Sequence, residues 1–188
     1  MTQQRLGVYN NDWFDRGRPL WVEALWILAS VYFSSSLPGS TPRRWLLGLF
    51  GARIGRGVVV KPRVRIKFPW KLNVGDDVWI GEAAWIDNLA EVSIGNDVCV
   101  SQGVYICTGS HDWQSESFDL LVKPVEIEQG AWLGSYSRIA PGVVVGNHAV
   151  IGMGAVLTVD ADPSMVYLGN PAVPTRTRYP DAGQTTSS

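Results

Sequence analysis

His111 stands in Thr108-Gly-Ser-His111-Asp-Trp113, where a six-residue rhythm that has run unbroken for three repeats stops. An imidazole changes protonation near neutral pH, so it can take a proton from a reacting group and return it later. A regular scaffold interrupted at such a residue is the pattern of an enzyme. Other residue types narrow the chemistry. No G-x-S-x-G elbow occurs, and neither Cys99 nor Cys107 is placed as a nucleophile, so there is no signature of an acyl-enzyme. A catalytic zinc needs three protein ligands, whereas the two histidines, His111 and His148, lie thirty-seven positions apart. No metal site is expected. His148, in Val145-Gly-Asn-His-Ala, reads as a solvated corner.

The scaffold is set by aliphatic residues at every sixth position: Ile54, Val60, Ile66; Val74, Ile80, Ile86; Ile94, Val100, Ile106; Ile127, Leu133, Ile139; and Val145, Ile151, Leu157. Four residues after each comes Val, Ala or Ser in fourteen of fifteen cases, with Trp70 the exception. Six residues turn an α-helix by roughly 600°, which is no whole number of turns, so no helix buries such a series on one face. A coil of three short strands per turn does bury it. The spacing predicts an all-β fold, a parallel β-helix of about five rungs over residues 54–162. Two-residue insertions are expected at 72–73 and 92–93, and a longer inserted loop at 112–126. Each rung buries its apolar residues only against its neighbours, so both ends need caps. Residues 1–53 are expected to form an N-terminal helical segment, and residues 163–188 a C-terminal tail.

Within the first 53 residues, Leu20 to Phe33 is apolar and helix-compatible, entered by Pro19 and stopped by Pro38-Gly39. It is too short to span a bilayer comfortably, so it packs on the coil or lies on a membrane surface. Thr41 reads as an N-cap and Pro42 as the first residue of a short amphipathic helix from Arg43 to about Phe50. Residues 1–73 carry twelve Lys or Arg against three acids, and the remainder four against fourteen. That polarity predicts that one end meets something anionic or is balanced within an oligomer. Lys61, Arg63, Arg65 and Lys67 alternate with apolar residues, which predicts four charges outside one wall. The N-terminus shows no apolar run or cleavage site, and the two cysteines have no pairing signature; both predict a reducing, cytoplasmic location.

The repeat, with Trp13-Phe-Asp-Arg-Gly-Arg-Pro19, the apolar helix and the basic amphipathic segment ahead of it, resembles the hexapeptide-repeat acyltransferases. Among these it is most similar to the O-acetyltransferases of colanic acid and related polysaccharides. The resemblance covers about Tyr9 to Arg178. It implies a left-handed coil, a homotrimer, acetyl-CoA as donor and a sugar or oligosaccharide hydroxyl as acceptor. It implies no role for nucleic acid, and a cytoplasmic place of work with possible peripheral contact at the inner membrane.

By the same resemblance His111 is the catalytic base. Trp132 and Ser135 match the segment whose backbone faces the thioester, and Met153 and Thr158 match the coenzyme A wall; Val159 stands where a basic residue is usual, so Arg176 and Arg178 are the expected partners of the coenzyme phosphates. The backbone N–H near Ser135 is the implied oxyanion donor. An acceptor-pocket asparagine of the sugar enzymes has no match, because Gly81 to Ala84 stand there; Asp87 and Asn88 are the nearest polar candidates. Trp113, with Trp85 and Trp132, offers a face for a sugar or adenine ring. Which group orients His111 stays open between Asp112 and a carboxylate or carbonyl elsewhere. The competing readings are a non-catalytic β-helix scaffold and an acyltransferase with a serine or amino-sugar acceptor.

Overall fold

The computed structural model describes residues 4–179. Its body is a parallel β-helix with three walls. The first wall stacks Arg53–Ile54, Leu72–Val74, Val92–Ile94, Val125–Ile127 and Val144–Val145. The second stacks Val59–Val60, Trp79–Ile80, Cys99–Val100, Trp132–Leu133, Val150–Ile151 and Met165–Leu168, and the third Arg65–Ile66, Trp85–Asp87, Tyr105–Cys107, Arg138–Ile139 and Val156–Leu157. Five turns are complete. A sixth begins, with Ala161 bridging Val145 and Met165–Leu168 continuing the second wall. Val173–Thr177 then runs back antiparallel on that strand and ends the stack. Of the expected tail, residues 180–188 lie outside the described ones.

The six-residue positions point inward as the period requires: Ile80, Ile86, Ile106, Leu133, Ile151 and Leu157 are fully buried. Each such side chain contributes about 1.5–3 kcal/mol by leaving water. The small residue four places on fits beneath the next corner. Gly103 shows the constraint at such a corner: its φ is +67°, and a Cβ there would run into the Tyr136 ring one turn on.

The third corner departs from the expected register. Leu72 and Val92 are not inserted residues; they are buried and paired in the first wall, Leu72 with Val92 and Val92 with Val125. The two extra residues per turn sit at the corner itself, where Phe68, Asn88 and Thr108 point inward and are buried. A side chain two places after the aliphatic residue thus replaces the one four places after it. This explains Trp70. It is only partly buried, stacks on Phe68 at 5.1 Å, and donates its indole N–H to Arg16 O at 2.6 Å, holding the N-terminal segment. Lys71 assists, donating to Asp15 O at 2.6 Å and Leu89 O at 2.8 Å; burial lowers its ammonium pKa from the ordinary value.

Helix α1 spans Leu20–Phe33, as the sequence predicts, and docks through Trp26, whose indole donates to Ile66 O at 3.0 Å. Helix α2 spans Ser40–Leu49, beginning two residues before Pro42, its expected first residue. Thr41 is not its cap. Gly39 holds that place at φ +115°, and the Ser40 hydroxyl turns to the coil, accepting from Val60 N–H at 2.9 Å. Arg43 is not on a basic face either. It is fully buried and donates to Phe33 O, Gly39 O, Ser35 O and Leu37 O at 2.7–3.0 Å. A guanidinium against the carbonyl end of α1 is favoured by the helix dipole as well as by those bonds. Lys61, Arg63, Arg65 and Lys67 do not share one wall: Arg63 sits at a corner with φ +60° and reaches Ser36 Oγ at 3.0 Å.

Candidate active site

His111 does not stand at the start of an ejected loop. The chain leaves the coil at Gly109 and forms an antiparallel hairpin, Gly109–His111 against Leu120–Val122, with His111 opposite Leu120. The coil resumes at Val125, inside the range expected for the loop. The hairpin's backbone pairing fixes the Cα of His111, and its ring is held on three sides. It lies flat on Phe118, with centroids 4.2 Å apart and planes 4° from parallel. Tyr9 of the N-terminal segment tilts against it at 5.7 Å. Nδ1 is 2.9 Å from the carbonyl oxygen of Phe118.

That last contact decides the tautomer. A carbonyl oxygen only accepts, so Nδ1 carries a proton, and in the neutral ring the Nε2 lone pair is left for chemistry. Phe118 adopts φ +52°, a left-handed conformation uncommon for an aromatic residue, at the place where its carbonyl meets the imidazole. The surrounding arm is tied by short polar contacts. Asp119 accepts from Ser117 Oγ at 2.7 Å and Ser115 Oγ at 2.8 Å, and these bonds hold its carboxyl below the usual range. Arg5 donates its backbone N–H to Glu116 O at 2.8 Å and pairs with the Glu116 carboxylate at 3.0 Å. Asp112 does not orient His111; its Oδ1 accepts from Gln114 N–H at 2.9 Å.

Asp87 and Asn88 are neighbours with different tasks. Asn88 is fully buried, accepts from Phe68 N–H at 3.0 Å, and donates to Phe68 O at 2.7 Å and Lys71 O at 3.1 Å. Both amide protons are used, so the side chain braces the third corner and has none left for an acceptor. The expectation of a substrate role for Asn88 is corrected accordingly. Asp87 faces outward and accepts from Tyr105 O–H at 3.1 Å; its Oδ1 is 3.5 Å from Lys67 Nζ and has no hydrogen-bond partner. Burial, with Cys107 and Asp87 close by, pushes the Tyr105 phenol above its ordinary value and keeps it a donor. Trp85, between the Arg65 guanidinium at 4.2 Å and the Tyr105 ring at 4.7 Å, has both faces covered. A groove of about 390 Å³ runs beside this ladder, between α1 and the third wall, lined by Glu23, Ser30, Arg65, Lys67, Trp85 and Asp87. Asp87 pairs with Cys107, and His111 follows Cys107 by four residues, at most ~14 Å of chain. Trp113 is exposed in the arm beyond His111.

The residues matched to the coenzyme lie elsewhere. Trp132 projects from the second wall and donates its indole N–H to Ser101 Oγ at 2.9 Å. Ser135 and Met153 occupy successive turns of the next corner, linked by Gly154 N–H to Ser135 O at 2.9 Å, and Met153 is 81% exposed. Thr158 follows the last strand of the third wall. Arg176 is exposed in Val173–Thr177. Arg178 instead donates to Gly130 O at 2.7 Å and His148 O at 3.1 Å, stapling the tail to a corner. One chain therefore sets Trp132, Ser135 and Met153 about one corner of the prism, and Asp87 and the exit toward His111 about another. Tyr9 and Phe118 were missed from sequence. Neither has a local signature, since one arrives from a hundred residues away and the other acts through its backbone.

Comparison with known proteins agrees with this architecture. Residues 124–158 match the family model described as bacterial transferase hexapeptide (six repeats). The chain is 38% identical over 168 residues to the Escherichia coli (strain K12) protein named "Putative colanic acid biosynthesis acetyltransferase WcaF", covering 88% of this chain and 91% of that one. It is 27% identical over 143 residues to the galactoside O-acetyltransferase of the same strain, over 74% and 70% of the two chains. A hexapeptide-repeat acetyltransferase of Vibrio cholerae O1 biovar eltor, solved with acetyl coenzyme A, superimposes with a TM-score of 0.78 at 22% identity, over 84% and 87% of the chains. The chain belongs to the hexapeptide-repeat acetyltransferases. Within them it is a relative of the colanic acid biosynthesis type.

Proposed function

We propose that the protein is an acetyl-CoA-dependent O-acetyltransferase acting on a sugar hydroxyl of an exopolysaccharide or its lipid-linked precursor, with His111 as general base. The observation that carries this reading is the Nδ1 contact to the Phe118 carbonyl, which in the neutral imidazole leaves the Nε2 lone pair free, on an arm held outside the coil. A sugar hydroxyl ionises far above neutral pH, so its attack on a thioester needs a base in the transition state. Nε2 takes the hydroxyl proton as the oxygen bonds to the acetyl carbonyl carbon. The tetrahedral oxyanion is met by a backbone N–H near Ser135, a contribution of ~10²–10³ in rate for one such donor. Collapse breaks the C–S bond, and the leaving thiolate receives the proton from Nε2.

The donor reading uses Trp132, Ser135, Met153, Thr158 and Arg176; the acceptor reading uses Asp87 and Trp113. Because His111 and the donor wall flank different corners, this reading needs a second copy to face them together, in keeping with a homotrimer. A cytoplasmic place of work and peripheral contact with the inner membrane belong to the same proposal. The test is incubation with acetyl-CoA and a panel of oligosaccharides, with products read by mass spectrometry. Ester-linked acetyl on a sugar is the expected product. Acetylation of amines alone would replace the reading with N-acyl transfer.

A further inference from the structure

The outer side of α1 has no partner within the chain. A fourteen-residue helix that is apolar on nearly every side should be buried, yet α1 buries only Trp26 and Phe33. Trp21, Leu25, Leu28 and Tyr32 recur at spacings of four, three and four, which lines them along one face, and Val31 stands beside them. Leu28 is 70% exposed and Val31 74%. On α2, Trp45 and Leu49 are exposed at 67% and 63%. No charged side chain interrupts the α1 face.

Cations accompany the two helices. Arg44 lies on α2 beside Trp45. The Arg18 guanidinium comes within 3.4 Å of where a Cβ on Gly51 would stand, at the end of α2. Arg63 bonds to the segment between the helices, through its backbone N–H to Ser35 O and its side chain to Ser36. This is the pole of the molecule where residues 1–73 carry nine more bases than acids; residues 74–188 carry ten more acids than bases. The charge selects the occupant. A second copy docked through the same helices would set two strongly basic segments against each other, and a neutral apolar partner would leave Arg18 and Arg44 without counter-charge, whereas Arg63 lies 3.5 Å from Glu82. An anionic bilayer satisfies both features, apolar side chains entering the acyl boundary and arginines meeting headgroup phosphates. Trp21 and Tyr32, one near each end of the face, suit that boundary.

We propose that α1 and α2 form a docking surface for an anionic lipid bilayer, with α1 lying in the headgroup plane and the acidic end of the coil directed away. At 1.5 Å per residue α1 is about 21 Å long, short of the ~30 Å hydrocarbon core, and none of the described helices is long and apolar enough to cross a membrane. The surface gives a definite site to the membrane contact in the reading above but stands on the helices alone, without need of acetyl transfer.

The test is co-sedimentation of the full-length protein with phosphatidylcholine vesicles, with and without phosphatidylglycerol. Expected is binding to the anionic vesicles, weakened by salt. Arg18→Glu and Arg44→Glu should each lower it about fivefold or more. Leu28→Asp with Val31→Asp should abolish it, while thermal melting and transfer to a water-soluble acceptor stay at wild-type level. Equal binding to neutral vesicles, or none to anionic ones, would overturn the proposal. So would dissociation of an oligomer by Leu28→Asp with Val31→Asp, seen by light scattering, since the face would then be an interface between copies. Transfer to the soluble acceptor reads the enzymatic assignment separately.

Discussion

Asn88→Ala separates architecture from substrate binding at the third corner. The substitution removes one acceptor and two donors from a fully buried site, leaving Phe68 N–H, Phe68 O and Lys71 O without their partner. A buried polar group left unsatisfied costs about 1–3 kcal/mol. Lys71 is only partly buried, so water can replace its bond, while the two Phe68 groups lie in the core. The net expectation is a loss of about 3 kcal/mol. For a chain of this size each kcal/mol moves the midpoint by roughly 2–4 °C, so melting should fall by about 6–12 °C. Differential scanning calorimetry measures this, and steady-state kinetics below the new midpoint should show an unchanged KM for the acceptor. Asp87→Asn should do the reverse, raising that KM while the midpoint moves little. An Asn88→Ala protein with wild-type melting and a raised acceptor KM would refute the argument, for its amide would then not be committed to the corner.

Arg176 and Arg178 should part in the same way. Arg176→Ala should weaken acetyl-CoA binding about tenfold in isothermal titration with no change in melting, as loss of an exposed charge from a phosphate site would. Arg178→Ala should lower the midpoint by a few degrees, about 1–2 kcal/mol after discounting for its partial exposure. Arg43→Met keeps the apolar volume but leaves four carbonyls without their donor, and should cost about 3–5 kcal/mol in calorimetry. The Asp119 carboxyl is held below its ordinary value, so what it contributes to arm order is complete above that value and is lost as pH falls through the lowered one. Amide signals of Ser115 and Ser117, whose hydroxyls donate to that carboxylate, should shift with the transition in an acid titration, and Asp119→Asn should remove it.

The coil was legible because one aliphatic residue in six admits few other folds, and α1 because Pro19 and Pro38-Gly39 bracket it. The third corner was not. Phe68, Asn88 and Thr108 share a column and have nothing in common as residue types, so only stacking shows that they are one feature. Thr41 as cap and Arg43 as part of a basic face were misread, because local rules assign a hydroxyl to the nearest helix end and an arginine to solvent, while Ser40 went unnoticed. Tertiary contacts with Val60 and with the end of α1 override both. The broken rhythm singles out His111, but the carbonyl bonded to its Nδ1 belongs to a backbone conformation that the type of residue 118 does not announce.

The most direct test of the central claim is acetyl transfer by His111→Ala beside wild type, with acetyl-CoA affinity measured on the same samples. The variant should lose about 10²–10⁴-fold in turnover, the contribution of a positioned base, while binding acetyl-CoA as tightly as wild type. Near-normal turnover, or loss of acetyl-CoA binding in step with activity, would contradict the assignment of His111 as the base.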